Sequence, residues 1–138
     1  MTAKEYLKQA FYLDKRINSK LEQVESLNAL ATKATSTLSD MPKSSNRGTY
    51  KLEDNIIKIV ELQEEINKDI DKLVDLKKEI ANSIYALKDK EEQTVLEKRY
   101  LCFNSWEQIA VDMNYSIQYC FNVHRNALGK ISIPIKAM

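Results

Sequence analysis

Two glycines and two prolines in 138 residues leave this chain almost no material for tight turns. A many-stranded sheet or a glycine-rich phosphate loop uses such residues repeatedly, so mostly long helices are expected. The chain is 43% hydrophobic and 30% charged, which suits one ordinary domain or two small units sharing a helical stalk. It is too short for a large cofactor-binding enzyme. With 21 basic residues against 20 acidic, the formal charge of +1 excludes a nucleic-acid mimic and a strongly basic polyphosphate coat. Any charge signal must be local.

Apolar or small residues recur in steps of three and four from Tyr6 through Leu13, Ile17 and Val24 to Leu38, predicting one helix over Ala3 to Leu38. At ~1.5 Å per residue it would be roughly 50 Å long. The stretch Ser39–Thr49 gathers Pro42, Gly48 and several Ser and Asn residues, and reads as a connecting loop. Beyond it, Ile56, Ile59, Gln63, Ile66, Ile70, Leu73, Lys77, Ile80, Ile84 and Leu87 alternate the same steps as a coiled-coil seam. Gln63 and Lys77 interrupt that seam as polar residues that can set register. Two helices of similar length around a short loop most simply fold back as an antiparallel hairpin. The competing arrangement pairs the second helix with another copy of the chain.

After Leu87 the pattern shortens to three helices, Glu91 to Leu101, Ser105 to Met113 and Ser116 to about Leu128, with Lys88–Glu92 as a charged hinge. Ser105 and Ser116 stand where N-caps belong. Counted from Trp106, the last two helices fit a helix-turn-helix unit. Ala110 is small enough for a close crossing, and Ile109, Met113, Tyr115, Cys120 and Val123 fall where apolar residues must be buried. Asn114 occupies the turn position that requires a left-handed backbone. The plainer alternative is a three-helix head with no nucleic-acid role. The expected fold is therefore all-α: a long antiparallel helical hairpin, a coiled-coil stalk, over residues 1–88 with a loop at about 39–52, followed by a three-helix helix-turn-helix head over 89–138. The apolar tail Ile131–Ile135 contains Pro134 and should pack as an extended strip.

The segment from Thr94 to Ser116, with its order L-x-x-R-Y followed by S-W-x-x-I-A-x-x-M-x-Y-S, resembles region 4 of bacterial sigma factors. The whole chain, including Lys33-Ala-Thr-Ser-Thr-Leu-Ser-Asp-Met-Pro42, resembles an uncharacterised family of phage and prophage proteins with such heads, similar to late-transcription regulators of the ArpU and RinA kind. The resemblance implies a DNA-binding transcriptional regulator in a bacterial host, and two cysteines without a signal segment lead to the expectation of a reducing cytoplasm. The resemblance also implies Arg or Lys at positions where this chain has Gln118, Asn122 and Asn126.

A helix beginning at Ser116 and lying in the major groove would turn Ser116, Ile117, Gln118, Phe121, Asn122 and Arg125 towards the bases. Gln and Asn can pair bidentately with adenine, and Ile117 or Phe121 can touch a thymine methyl. Between Ser105 and Arg125 the formal charges are Glu107, Asp112 and Arg125, a net of −1, so phosphate contacts must come from outside the unit. Lys98, Arg99 and Lys130 are the nearest candidates; Lys136, Lys43, Arg47 and Lys51 are more remote ones. A dimer formed through the coiled coil would double the contacts.

Cys120 and His124, four apart on one helix, could share a metal ion, but a closed zinc site wants four donors and the sequence offers no obvious fourth. Cys120 is better read as a small buried thiol, and Trp106 as core. No metal, cofactor or catalytic group is expected. Between Glu53 and Glu92, 12 acidic residues against 7 basic ones read as the solvated surface of a coiled coil. The N-terminus, Met1-Thr-Ala-Lys-Glu-Tyr, has no apolar core of signal-peptide length, and no stretch is apolar enough for a membrane span. Two rival functions remain beside DNA reading: a non-catalytic module or inhibitor that grips a host protein such as RNA polymerase or a nuclease, and a small packaging-terminase subunit.

Overall fold

The computed structural model describes the backbone of residues 1–40 and 45–134, and the side chains of residues 1–33 and 52–134. Among these the protein is all-helical, with five α-helices and no strand: α1 (Ala3–Asp40), α2 (Ser45–Tyr85), α3 (Lys90–Leu96), α4 (Trp106–Met113) and α5 (Ile117–Leu128). α3 runs on into one π-helical turn, Glu97–Leu101. No helix is long and apolar enough to cross a membrane among the described residues. The expected connection is narrower than residues 39–49, because Ser39, Asp40 and Ser45–Thr49 are helical. Each of these poor helix formers costs at most about 1 kcal/mol in a helix, which the turns on either side can absorb. Residues 41–44 lie outside the described residues, as do Ile135, Lys136 and the side chains of Arg47 and Lys51.

The chain divides into two compact units, one made of residues 1–14 and 72–138, the other of residues 15–71. The first has its main core where Tyr6, Leu7 and Ala10 of α1 meet Ile80, Ile84 and Leu87, together with Leu96, Tyr100 and Ala127. The residues expected to form a separate head at 89–138 thus share a core with the first turns of α1. Ile131 and Ile133 pack against this core in a non-helical stretch, as Pro134 suggested. A smaller cluster of Ile109, Ala110 and Cys120, flanked by Trp106 and Met113, lies between α4 and α5.

In the second unit Ile17 and Val24 of α1 are buried, as are Leu62, Ile66 and Asp69 of α2. The expected seam needs correction here. Gln63 is exposed, and so are Ile56 and Ile70, the latter 41% accessible. The covered row keeps Ile66 of the expected seam but takes Leu62 and Asp69 in place of Gln63 and Ile70, while Ile80, Ile84 and Leu87 of the seam are buried in the first unit. Asp69 lies in that row, and Lys20 meets it with Nζ 2.6 Å from its Oδ2 and 3.6 Å from Glu65 Oε2. A largely buried carboxylate needs a cation beside it, so this pair fixes the rotation of the helix. The second polar seam residue, Lys77, is half-buried in the first unit, with its ammonium 4.6 Å from the centre of the Phe103 ring.

The corrected row predicts unequal truncation costs. Leu62→Ala should lower stability by about 2–5 kcal/mol and Ile70→Ala by less than about 1 kcal/mol, read by urea unfolding. Equal losses would restore the seam through Ile56, Gln63 and Ile70.

Candidate nucleic-acid interface

Each short helix in the first unit is started by a side chain that accepts from free backbone N–H groups. Asp89 Oδ1 accepts from Glu91 N at 2.8 Å, Ser105 Oγ from Gln108 N at 3.2 Å, and Ser116 Oγ from Tyr119 N at 3.1 Å. Such a cap is worth about 1 kcal/mol, and it makes Asp89 an N-cap where a plain charged hinge was expected. α4 stops at Asn114, which takes the left-handed conformation at φ 63° and ψ 38° and leaves three residues, Asn114 to Ser116, between α4 and α5. Asn tolerates that backbone better than residues with larger side chains. Phe103 is also left-handed, at φ 58°, just after the π-turn. Nothing in its side chain favours that conformation, and the sequence carried no sign of it.

Ile109, Ala110, Cys120 and Val123 are buried as the crossing pattern required, and Met113 packs beside them. Tyr115 departs from the pattern, with 41% of its surface exposed. Its ring leans on Tyr119, centroids 4.6 Å apart, and the Glu91 carboxylate facing both hydroxyls holds the two phenols above their ordinary pKa. A polar tip that finds a carboxylate at the edge of the fold has less reason to be buried.

The outward face of α5 carries Ile117, Gln118, Phe121, Asn122 and Arg125, all exposed, with Ser116 at its start. Gln118 Nε2 donates to Asn122 Oδ1 at 3.3 Å, so the two amides lie together on one face at i,i+4 spacing. Phe121 is only marginally exposed. It stands edge-on to Trp106 with centroids 5.0 Å apart, which gives it a packing role as well as an accessible edge.

The proposed phosphate contacts are placed differently from one another. Lys98 Nζ lies 3.4 Å from Asp112 Oδ2. Lys130 Nζ lies 2.7 Å from Glu92 Oε1, and that carboxylate is buried, so Lys130 serves first to neutralise it. The same bond holds the Lys130 ammonium above its ordinary pKa. Arg99 donates from Nη1 to the Asn104 carbonyl at 3.0 Å and lies 4.9 Å from the centre of the Trp106 ring.

His124 sits behind the outward face. Its Nε2 is 2.6 Å from the Tyr100 hydroxyl, its ring stacks on Tyr100, and the edge of Trp106 meets it at 4.8 Å. Burial, then the positive charges of Lys4, Arg99 and Lys8, bring its pKa down to about 4, while burial pushes Tyr100 up to about 12. Both are therefore neutral at pH 7. Cys120 is fully buried and its thiol is pushed upward by that burial; Cys102 is exposed. Among the described residues, no group of three or more His, Cys, Asp or Glu is placed to hold a metal ion. The His124–Tyr100 bond and the positive residues around it were missed in the sequence, where the partners stand 24 residues apart and no spacing rule connects them.

Residues 33–132 match the family described as Protein of unknown function (DUF1492). No curated protein and no solved structure matches the chain.

Two outcomes follow from this geometry. Ala110→Leu should overpack the crossing and cost about 1–3 kcal/mol in thermal unfolding, and an unchanged melting temperature would displace the register counted from Trp106. His124 takes its proton at about 4 when folded and near 6.5 when unfolded, so the unfolded chain binds more protons between these values. Its contribution is complete above pH 6.5 and is lost as pH falls towards 4. The melting temperature should drop over that window, and His124→Gln should flatten the drop.

Proposed function

We propose that the chain, which belongs to the DUF1492 family, is a non-catalytic regulatory protein of phage or prophage origin that reads duplex DNA with α5. In this reading α1 and α2 form an antiparallel hairpin, and α3 to α5 form a helix-turn-helix head like sigma region 4. The observation that carries it is the left-handed Asn114 between two serine-capped helices, with Ile109, Ala110 and Cys120 buried at their crossing and Gln118, Asn122 and Arg125 presented outward. A turn of this kind lets a second helix project into the major groove with its first residues at the base edges. The exposed amides of Gln118 and Asn122 are chemically suited to adenine, and Ser116 can reach a phosphate or a base. The hairpin draws support within each unit: early residues of α1 meet late residues of α2, Tyr6 Oη lying 3.4 Å from Glu79 Oε2 in one, and Lys20 pairing with Glu65 and Asp69 in the other.

A second reading, a module that grips a host protein such as RNA polymerase, rests on the apolar surface beside the turn. Val111 is 72% exposed, and Tyr115, Ile117 and Tyr119 lie near it along the chain with their rings and branches open to solvent. Tyrosine and branched apolar residues are common at protein interfaces, and the −1 charge of the unit suits a protein partner better than a polyphosphate.

Selection from random duplex DNA at about 50 and 200 mM salt, beside sedimentation to fix the oligomer, separates the two readings. One enriched motif with a steep salt dependence is expected, with paired half-sites if the chain is a homodimer. Gln118→Ala with Asn122→Ala should then cost about 1–3 kcal/mol per lost base pairing without altering the fold. No enrichment at either salt would leave the protein-binding reading standing.

A further inference from the structure

In the first unit, the second and third turns of α1 and the π-turn border a small recess of about 70 Å³ lined by Lys8, Phe11, Tyr12, Arg99 and Tyr100. That is well below the roughly 300 Å³ of a pocket for a whole ligand, so it has room for one compact group with the rest of the ligand outside. Among the described residues lining it there are two cations and no carboxylate. Lys8 and Arg99 are both half-buried, so their charges act through a medium that screens less than water does. Arg99 is held in place by its bond to the Asn104 carbonyl and by the Trp106 face, which leaves most of its five donors for a ligand and little entropy to lose on binding. The walls are stiff aromatic surface: Phe11 stands edge-on to Phe103 at 5.9 Å and to Tyr12 at 5.8 Å, and Tyr100 is 2% exposed.

The site has a second signature. His124, on the other side of Tyr100, has its proton affinity lowered first by burial and then by Lys4, Arg99 and Lys8, so these cations impose a positive field on the region. Tyr100 keeps its proton to about pH 12, so no phenolate opposes that field near neutrality.

We propose that this recess binds a phosphoryl group, with Lys8 and Arg99 donating to its oxygens and the exposed ring of Tyr12 lying against the sugar or base that the phosphate carries. An Arg fork with a Lys point charge matches a phosphate, which can accept from both at once. The phosphate belongs either to a free nucleotide or to the backbone of duplex DNA. The second case rests on the DNA-reading function above and would supply from α1 the cations that the helix-turn-helix unit lacks.

Trp106 is the single tryptophan of the chain and lies under Arg99, so its fluorescence reports on the pocket. The experiment titrates inorganic phosphate, AMP and a random duplex into the full-length protein, its Lys8→Gln and Arg99→Gln variants, and a Lys88→Gln control on an exposed site outside the pocket. Circular dichroism confirms the helix content of each, and Lys8→Gln carries the result if Arg99→Gln loosens the Trp106 stack. Saturable phosphate or AMP binding that weakens about tenfold or more in Lys8→Gln, and not in Lys88→Gln, identifies a free phosphorylated ligand. No response to phosphate or AMP, with duplex affinity falling in Lys8→Gln and its salt slope reduced by about 1, identifies the DNA backbone.

Nucleotide binding that Lys8→Gln leaves unchanged overturns the pocket. So does a chain that binds duplex DNA equally with and without Lys8 and ignores phosphate and AMP, although the DNA-reading function then stands. AMP binding without any duplex binding keeps the pocket and rejects DNA reading. Silence in every titration rejects both.

Discussion

The core around Tyr6, Leu7, Ile80, Ile84, Leu96 and Tyr100 is the constraint on which the first unit depends. At roughly 25 cal/mol per Å² of apolar surface, each of these large side chains contributes on the order of 1.5–3 kcal/mol by leaving water. Their combined effect is positional as well as energetic. Ala127 joins the same core, so α5 is held at its C-terminal end while the crossing at Cys120 holds its first turn. Its opposite face is thereby turned outward. Tyr100 enters the core with its ring and passes its hydroxyl to His124, which lets one residue serve both the packing and the polar arrangement behind α5.

Electrostatics divides the unit in two. Towards α3 and α4, basic groups are matched by acids: Lys98 of the π-turn with Asp112, and Lys130 with the buried Glu92. Towards α1, Lys4 and Lys8 act with Arg99, the neighbour of Lys98 in that turn, to make protonation of His124 harder. The positive charge felt at His124 therefore comes in part from α1. A reading confined to residues 89–138 would overlook it, because two of the three cations stand more than 80 positions earlier in the chain.

The helical class, the two serine caps and the left-handed turn at Asn114 were all legible because each rests on a local rule. The spacing of apolar residues, a hydroxyl before a helix and the tolerance of Asn for positive φ need no partner from elsewhere. What the sequence concealed depends on distant residues. Around Ile66, Gln63 and Ile70 have the same spacing as Leu62 and Asp69, and choosing between the two pairs required Lys20, 49 residues from Asp69. Tyr115 looked like core by position, yet its hydroxyl faces Glu91 and its surface stays open. The π-turn at Glu97–Leu101 left no mark on the pattern, since one unusual turn is shorter than any window in which periodicity can be judged. Lys130 looked like a free cation because its buried partner, Glu92, is 38 residues away.

The placement of Tyr6 and Leu7 also bears on how the protein is made. These residues are made long before the last of their partners, which run on to Ala127. At about 5–20 residues per second, roughly 6 to 25 s separate the synthesis of the two sides of that core. Through that interval the first turns of α1 are apolar surface without their native cover, an exposed segment open to chaperones. The first unit closes only once α5 has been made, so its folding is governed by long-range contacts even though nearly every hydrogen bond in its helices is local.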